Sequence, residues 1–550
     1  MPSRRALLRL LAFALIGLPV LAAYVVSGLT RPINFHDEGF PVYAALRILA
    51  GDVPYRDFWT IHTPGQWYTL AGLFMVFGHS LLAVRIWDAL VRVLFLFTLY
   101  AIASRLTSPR LALIPGLVIL VYLGATPFYA YMMFPALLLS ALSGLGLLFH
   151  AEAPRARWLA VGGLCAGLAA LYRHDVGFYA AAAGGAVLAA RAVTPLAPGA
   201  EGAWPARLRG LGSLLGPYAA GVAVVVVPAT AALLAVVPPG LLWDQLFVYP
   251  SRLAAGLRAL PQPPLWLNPL LALRGSEYLE GYLTLVLELW IPFYFPLITY
   301  ALGLAAALAF LWRAACGEGR EAASWGAMWL TLFGASLFLK ALMRNDAIHL
   351  MPTSLMAMVL LTALADRAWK AVGRAPVLAA LCLALPLVSI SLFWMPAMDW
   401  VLRTYRGWPP NCSVPLERAR CLPLRRDEAA IIQLVQTLVP PGERIFVGNE
   451  RHDRTFVTDV LFYFVAGRYS ATRYFSLEPG VVTTEAVQKE IIQELQRHRV
   501  RFIVLYSPLR PFIEPNESGR SSGVTLLDDY IRAAYRKGWV SGEYSVWEKR

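Results

Sequence analysis

Charge is what this sequence has little of: only 15% of its 550 residues are Asp, Glu, Lys or Arg. Soluble globular domains usually carry roughly 25%, so a water-soluble globule is excluded. Cysteine is scarce too, at five residues, and no Cys/His cluster has the ligand spacing of a zinc site. No Walker-type GxxxxGK[ST] is present, and Gly317-Glu318-Gly319 lacks the strand and helix context of a phosphate loop. The chain also lacks the internal repeat that marks many transporters built from two halves. The formal net charge of +14 would suit nucleic acid, but the basic residues recur between apolar segments. That distribution is a membrane-topology signal, and no nucleic-acid partner is expected.

Apolar residues are what the chain has in excess, at 58%. Stretches of about 18 or more of them can cross a hydrocarbon layer of roughly 30 Å. Eleven spans are expected, at 6–29, 79–104, 110–125, 129–150, 157–172, 176–191, 211–237, 286–312, 323–343, 347–366 and 374–396. The first follows Arg4, Arg5 and Arg9 but is longer than the h-region of a secretory signal, so it reads as a retained anchor. Segment 64–78 is apolar but short, as a re-entrant or interfacial helix would be.

Arginine and lysine set the orientation. With the N-terminus cytoplasmic, each cytoplasmic connection carries at least two of them: Arg105/Arg110, Arg155/Arg157, Arg191/Arg207/Arg209, Arg313/Arg320 and Arg367/Lys370/Arg374. The positive-inside rule therefore gives a cytoplasmic N-terminus and an odd number of crossings. The opposite face then receives the first loop (30–78), the Arg173-His174-Asp175 turn and a loop from Pro238 to about Leu285. It also receives the Arg344-Asn345-Asp346 turn and the tail. The expected division is a transmembrane domain over 1–396 and a soluble, non-cytoplasmic α/β domain over 397–550. In that tail "RIFVG" (444–448) and "RFIVLY" (501–506) read as buried strands, and 427–438 and 484–498 have helical spacing, with Thr483 or Thr484 as cap. Cys412 and Cys421 are its only cysteines; a disulfide between them suits an oxidising compartment, and two free thiols are the alternative.

Asp37 and Glu38 stand just after the first span, where carboxylates either sit in water, cap a helix or have a task. Tyr43-Ala44 follow one turn on, then "RILAGDVPYRDFW" (47–59), Pro64, Trp67-Tyr68 and "FGHSLLAVR" (77–85) leading into the second span. This ordered series resembles the GT-C superfamily of membrane glycosyltransferases, in its bacterial protein-mannosyltransferase-like and aminoarabinose-transferase-like branch. The resemblance covers residues 25 to 105 best.

It implies a polyprenyl-phosphate-sugar donor and a glycan, lipid or protein acceptor. The reaction would take place on the outer face of a bacterial inner membrane. The family's catalytic base maps onto Asp37, while Glu38 would orient the acceptor or hold Asp37. A carboxylate in reach of a hydroxyl can take its proton as it attacks the anomeric carbon, and displacement opposite the phosphate would invert configuration.

The leaving phosphate needs positive charge. Arg173 and Arg344, each in an R-x-D turn oriented by Asp175 or Asp346, are the candidates, with lipid headgroups as their alternative partners. Where relatives often carry a lysine before the proline, this chain has "IHTPG", so His62 would replace that phosphate contact or the contact is lost. His349 has similar standing. Superfamily members leave room for a divalent metal near Asp37 or Glu38, but nothing in the spacing demands one.

Arg85, Asp88 and Arg92 share one face of the second span and are expected to form an internal ion pair. "YPSRLAAGLRALPQPP" (249–264) would cover the donor lipid or lie on the membrane. Two other classes of function, a lipid-carrier flippase and a non-catalytic scaffold, remain as alternatives. The first would place polar residues at mid-span rather than at the outer ends, and the second would make Asp37 dispensable.

Overall fold

A backbone surrounded by hydrocarbon must satisfy its own N–H and C=O groups, and the apolar runs accordingly form helices. The computed structural model describes residues 4–194, 204–268, 276–316, 321–372, 396–410, 412–413, 415–454, 457–508, 514 and 516–550. In chain order the first helices are α1 (Arg4–Thr30), α2 (Gly39–Leu49), α3 (Gly65–Phe77), α4 (Leu81–Leu106), α5 (Leu113–Ala125), α6 (Met133–Glu152), α7 (Ala156–Tyr172), α8 (His174–Val193) and α9 (Trp204–Val236). Further long helices cover Ile291–Ala315, Ala322–Ala341 and Ala347–Val372.

Among the described residues seven helices are long and apolar enough to cross a membrane, and several shorter apolar ones accompany them. The protein is an integral membrane protein. The expected span 374–396, apart from its last residue, and the Gly317–Gly319 fragment lie outside the described residues. Helix α9 turns most of its apolar side chains outward, Val224 and Val227 each being 63% exposed, as a helix bathed in lipid does. Helix α3 likewise leaves Tyr68, Met75, Val76 and Phe77 exposed, in keeping with a short interfacial helix.

Much of the stretch expected as a loop from Pro238 to about Leu285 is helical among the described residues. Pro239–Trp243, Asp244–Val248, Tyr249–Arg252 and Leu253–Leu257 form successive helical turns, and Ser276–Thr284 starts another. Proline suits the first turn of a helix, where its missing N–H has no partner to lose. Here it starts helices rather than ending them, as at Pro239 and Pro250.

The tail builds a five-stranded mixed sheet from β1 (Arg444–Asn449), β2 (Tyr469–Ser470), β3 (Phe502–Tyr506), β4 (Tyr535–Ser541) and β5 (Tyr544–Lys549), in the order β2-β1-β3-β5-β4. Strand β1 runs parallel to β2 and β3, while β5 is antiparallel to β3 and β4. Alternation sorts the side chains to two faces. Ile445, Val447 and Val504 face one core, with Ile431, Ile432 and Val435 of the Arg426–Leu438 helix. Phe446, Ile503 and Leu505 face the other, with Ile491 and Leu495 of Glu485–Arg497 and Leu527 and Ile531 of Leu526–Ala534. Thr484 occupies the N-cap position, but its hydroxyl donates to Val481 O at 2.7 Å instead of capping. Cys412 and Cys421 are joined by a disulfide.

The first of those cores does not stop at the tail. It continues into Phe40, Val42, Tyr43, Ala44 and Leu46 of α2 and Trp67 and Leu70 of α3. Gly39 shows how close the approach is: a Cβ there would lie 2.3 Å from Leu461 N. Tyr43 stacks on Tyr463 at 4.8 Å and accepts from Ser470 N–H through its hydroxyl. The first loop is thus clamped between membrane helices and tail.

Glu38 is part of the clamp. Its carboxylate is fully buried and takes both Nε and Nη2 of Arg85 at 2.7 Å. Arg85 Nη1 donates to Gly28 O and to Arg31 O, so one guanidinium ties the end of α1, the first loop and the start of α4. With both oxygens on Arg85, Glu38 is placed to hold Asp37, one of its two expected roles, and not to touch an acceptor. Asp88 and Arg92 pair with each other at 2.8 Å, and Arg92 also donates to Leu123 O and Thr126. Arg85 does not join them. Removing one partner of a buried pair strands the other charge, at a cost of about 3–5 kcal/mol. Glu38→Ala should therefore lose about that much unfolding free energy in detergent-solubilised protein, and an unchanged denaturation midpoint would contradict the clamp.

Candidate active site

Asp37 lies one residue from this clamp but is half-buried. Asn34 holds it: Asn34 Oδ1 accepts from the N–H groups of His36 (3.0 Å) and Asp37 (2.8 Å), and Nδ2 donates to Asp37 Oδ2 at 2.9 Å. This Asx-turn leaves the other carboxylate oxygen for a further partner. Asn34 was missed in the sequence, although an Asn three residues before an acid is the signal of such a turn. His36 Nδ1 donates to Thr458 O of the tail at 3.2 Å.

Two tyrosines between α5 and α6 feel the Asp37 charge, Tyr129 and Tyr131. The Tyr131 hydroxyl meets His62 Nε2 at 3.2 Å. Burial pushes the Tyr131 phenol up to about 12; Arg173 opposes the rise, while Asp37, Glu478 and Asp175 add to it. Burial and, after it, the Arg173 charge hold His62 well below the usual imidazole range. His62 is therefore neutral at physiological pH. As the expected phosphate contact, His62 would act through a hydrogen bond and not through charge.

The cations come from elsewhere. Arg173, in the turn between α7 and α8, grips Asp175 through Nε (3.0 Å) and Nη2 (2.8 Å). Lys340, at the end of Ala322–Ala341, brings Nζ to 2.5 Å from Asp175 Oδ2. One carboxylate thus faces two cations, leaving an excess positive charge behind His62 and Tyr131. Lys340 was missed because a lysine in the last turn of an apolar span reads as an interfacial end.

Arg344 has a different fate from Arg173 despite the shared R-x-D pattern. Its Nε donates to Asp346 Oδ2 at 3.0 Å, and Nη1 and Nη2 both donate to Glu514 of the tail, Nη1 at 2.9 Å. The Glu514 carboxylate is nearly fully buried. All three guanidinium nitrogens are engaged, which contradicts the expectation of a free phosphate anchor and makes Arg344 a link between membrane domain and tail. His349 Nδ1 meets Asp346 Oδ1 at 2.7 Å. Burial would raise the Asp346 carboxyl, but the His349 and Arg344 contacts hold it down, at about 2. Among the described residues no three His, Cys, Asp or Glu side chains converge as metal ligands.

Residues 61–197 match the family described as dolichyl-phosphate-mannose-protein mannosyltransferase. The apo crystal structure of ArnT from Cupriavidus metallidurans superposes with a TM-score of 0.52 at 14% identity, covering 99% of this chain and 98% of that one. The oligosaccharyltransferase of Archaeoglobus fulgidus, tethered to an acceptor peptide with an NVT sequon, superposes with a TM-score of 0.50 at 12% identity, covering 89% and 69%. The fold is that of the GT-C membrane glycosyltransferases. No curated protein matches in sequence, so the GT-C likeness rests on the family segment and on shape. His62, Tyr131, Arg173 and Asp175 fall inside the family segment, while Asp37 and Lys340 lie outside it.

Asp175→Ala would leave Arg173 and Lys340 facing each other without a counter-ion in a low-dielectric site. It should destabilise the protein by about 3–5 kcal/mol, and adding Lys340→Met should recover part of that loss. Equal melting of the single and double variants would show that the two cations do not share Asp175.

Proposed function

We propose that the chain transfers a sugar from a polyprenyl-phosphate donor to a hydroxyl of a glycan, lipid or protein acceptor, with inversion. The single observation that carries this reading is the placement of Asp37. Its carboxylate is held by Asn34 through Oδ2, and its charge reaches Tyr131, whose hydroxyl meets His62. The charges of Arg173 and Lys340 act in turn on His62.

In this reading the acceptor hydroxyl gives its proton to Asp37 as its oxygen bonds to the anomeric carbon. The bond from that carbon to the phosphate oxygen breaks, and polyprenyl phosphate leaves with the electron pair. Its negative charge develops beside Arg173 and Lys340, where fixed cations lower the barrier. Tyr131 and His62, both neutral, can hydrogen-bond the phosphate or the sugar without competing for the proton. The matched family's description names a lipid-phosphate sugar, which supports that donor class.

The reading also places Asp37, the Arg173 turn and the 397–550 tail on the outer face of a bacterial inner membrane, with eleven crossings and a cytoplasmic N-terminus. The basic connections listed by the sequence support that orientation.

Asp37→Asn keeps the Asn34 contact and removes the base. In proteoliposomes with radiolabelled polyprenyl-phosphate sugars it should lower turnover by about 10²–10⁴-fold while donor binding persists. Unchanged transfer would remove Asp37 as base. A reporter fused to the C-terminus should be active only outside the cytoplasm; cytoplasmic activity would overturn the single-face arrangement.

A further inference from the structure

The tail contributes more to this site than a wall. Residues 475–480 are fixed by three separate contacts, two of them to the membrane domain and one, from Leu477 to Thr458, within the tail. Phe475 packs on Phe40, Tyr43 and Phe58 with ring centroids 4.9–5.5 Å apart. Leu477 N–H donates to Thr458 Oγ1 at 3.2 Å, and Pro479 O accepts from the Tyr249 hydroxyl at 2.8 Å. Between them Glu478 points its carboxylate at the loop that carries Asp37. Oε1 lies 4.0 Å from His36 Nε2, and Oε2 lies 3.7 Å from Arg258 Nη2.

Neither separation is a hydrogen bond. Ser476 Oγ, at 2.9 Å from Oε1, is the direct donor to this carboxylate among the described residues. The Glu478 side chain is only 13% exposed, and a carboxylate offers about four acceptor positions. A carboxylate this deep normally fills them. Burial alone would raise its pKa, but the Arg258 and His36 charges outweigh that and keep it ionised. The result is a fixed anion with open lone pairs, facing the residue next to Asp37. Its charge also reaches Tyr131, as that of Asp37 does. Gaps of this size beside a carboxylate suit hydroxyl groups, which donate at about 2.7 Å, and two adjacent hydroxyls can share one carboxylate.

We propose that Glu478 is a specificity-determining residue that accepts hydrogen bonds from sugar hydroxyls bound next to Asp37. The proposal rests on the transferase reading above. The hydroxyls belong either to the donor sugar or to a sugar of the acceptor, and the tail thereby completes the site instead of only stabilising it.

The test uses the full chain in proteoliposomes, as wild type, Glu478→Gln and Glu478→Ala. The donor probes are a panel of polyprenyl-phosphate sugars that includes the mannose form. One arm measures sugar release to water without acceptor; the other measures transfer into added membrane extract. Glu478→Gln should keep the wild-type melting temperature and raise KM about tenfold, with kcat within about threefold. A KM rise in both arms assigns the contact to the donor sugar, and one confined to the transfer arm assigns it to the acceptor.

Wild-type kinetics for Glu478→Gln in both arms would overturn the role. So would a lowered melting temperature and kcat at unchanged KM in both variants, which is the signature of a mere tether. A wild type silent with every donor would instead remove the transferase reading, and this role with it.

Discussion

The Glu38–Arg85 pair is the constraint on which the site depends. A bidentate guanidinium–carboxylate contact fixes both distance and plane, and here Arg85 also spends Nη1 on the carbonyls that end α1. Three chain segments that meet at the membrane surface are thereby held in one register. An apolar pair of similar volume would bury as well, but it would not select a single geometry, and register selection is the best-attested use of buried charge. Asp37 inherits its position from this arrangement. It sits between the clamped Glu38 and the Asn34 turn, so its side chain is aimed by groups on both sides of it.

Local charge then separates two turns that look alike. Arg173 and Arg344 both precede an aspartate by two residues and both form the short ion pair expected of that spacing. What distinguishes them is the third partner. Arg173 shares Asp175 with another cation, Lys340, so that turn carries excess positive charge. Arg344 receives a second carboxylate, Glu514, so its charge is more than matched and it knits tail to membrane domain. Lys340 lies in the last turn of Ala322–Ala341 and Arg344 three residues beyond its end, so one connection serves both purposes.

Much of this was legible in the sequence, where the information is local. Apolar runs and the alternation of strands and helices in the tail follow from composition and spacing. The strands at 444–449 and 502–506 lie within a residue or two of their expected bounds. Strand β4 escaped notice because "YRKGWVS" shows no apolar alternation; it is an edge strand with most residues exposed. Asp37 and Glu38 were indistinguishable for a different reason. Adjacent residues at a helix start point about 100° apart, and only Arg85, 47 residues later, decides which of them is buried. Glu478 and Glu514 carry no motif, because their partners are more than a hundred residues away.

The shared core explains why the tail cannot be regarded as an appendage. Phe40, Tyr43 and Leu46 of α2 are buried against Leu461, Tyr463 and Phe475 of the tail, and each such side chain contributes roughly 1.5–3 kcal/mol by leaving water. Without the tail these residues would face solvent on the same loop that carries Asp37. Backbone contacts continue the connection: Leu461 N–H donates to Phe35 O at 2.9 Å, and His36 donates to Thr458 O. Phe35 and His36 are the two residues immediately before Asp37. Any shift of the Thr458–Leu461 segment must therefore reach the Asp37 backbone within one or two peptide units. Glu38–Arg85 fixes that loop from the membrane side, and the tail fixes it from the other. The carboxylate proposed to do the chemistry is held between the two.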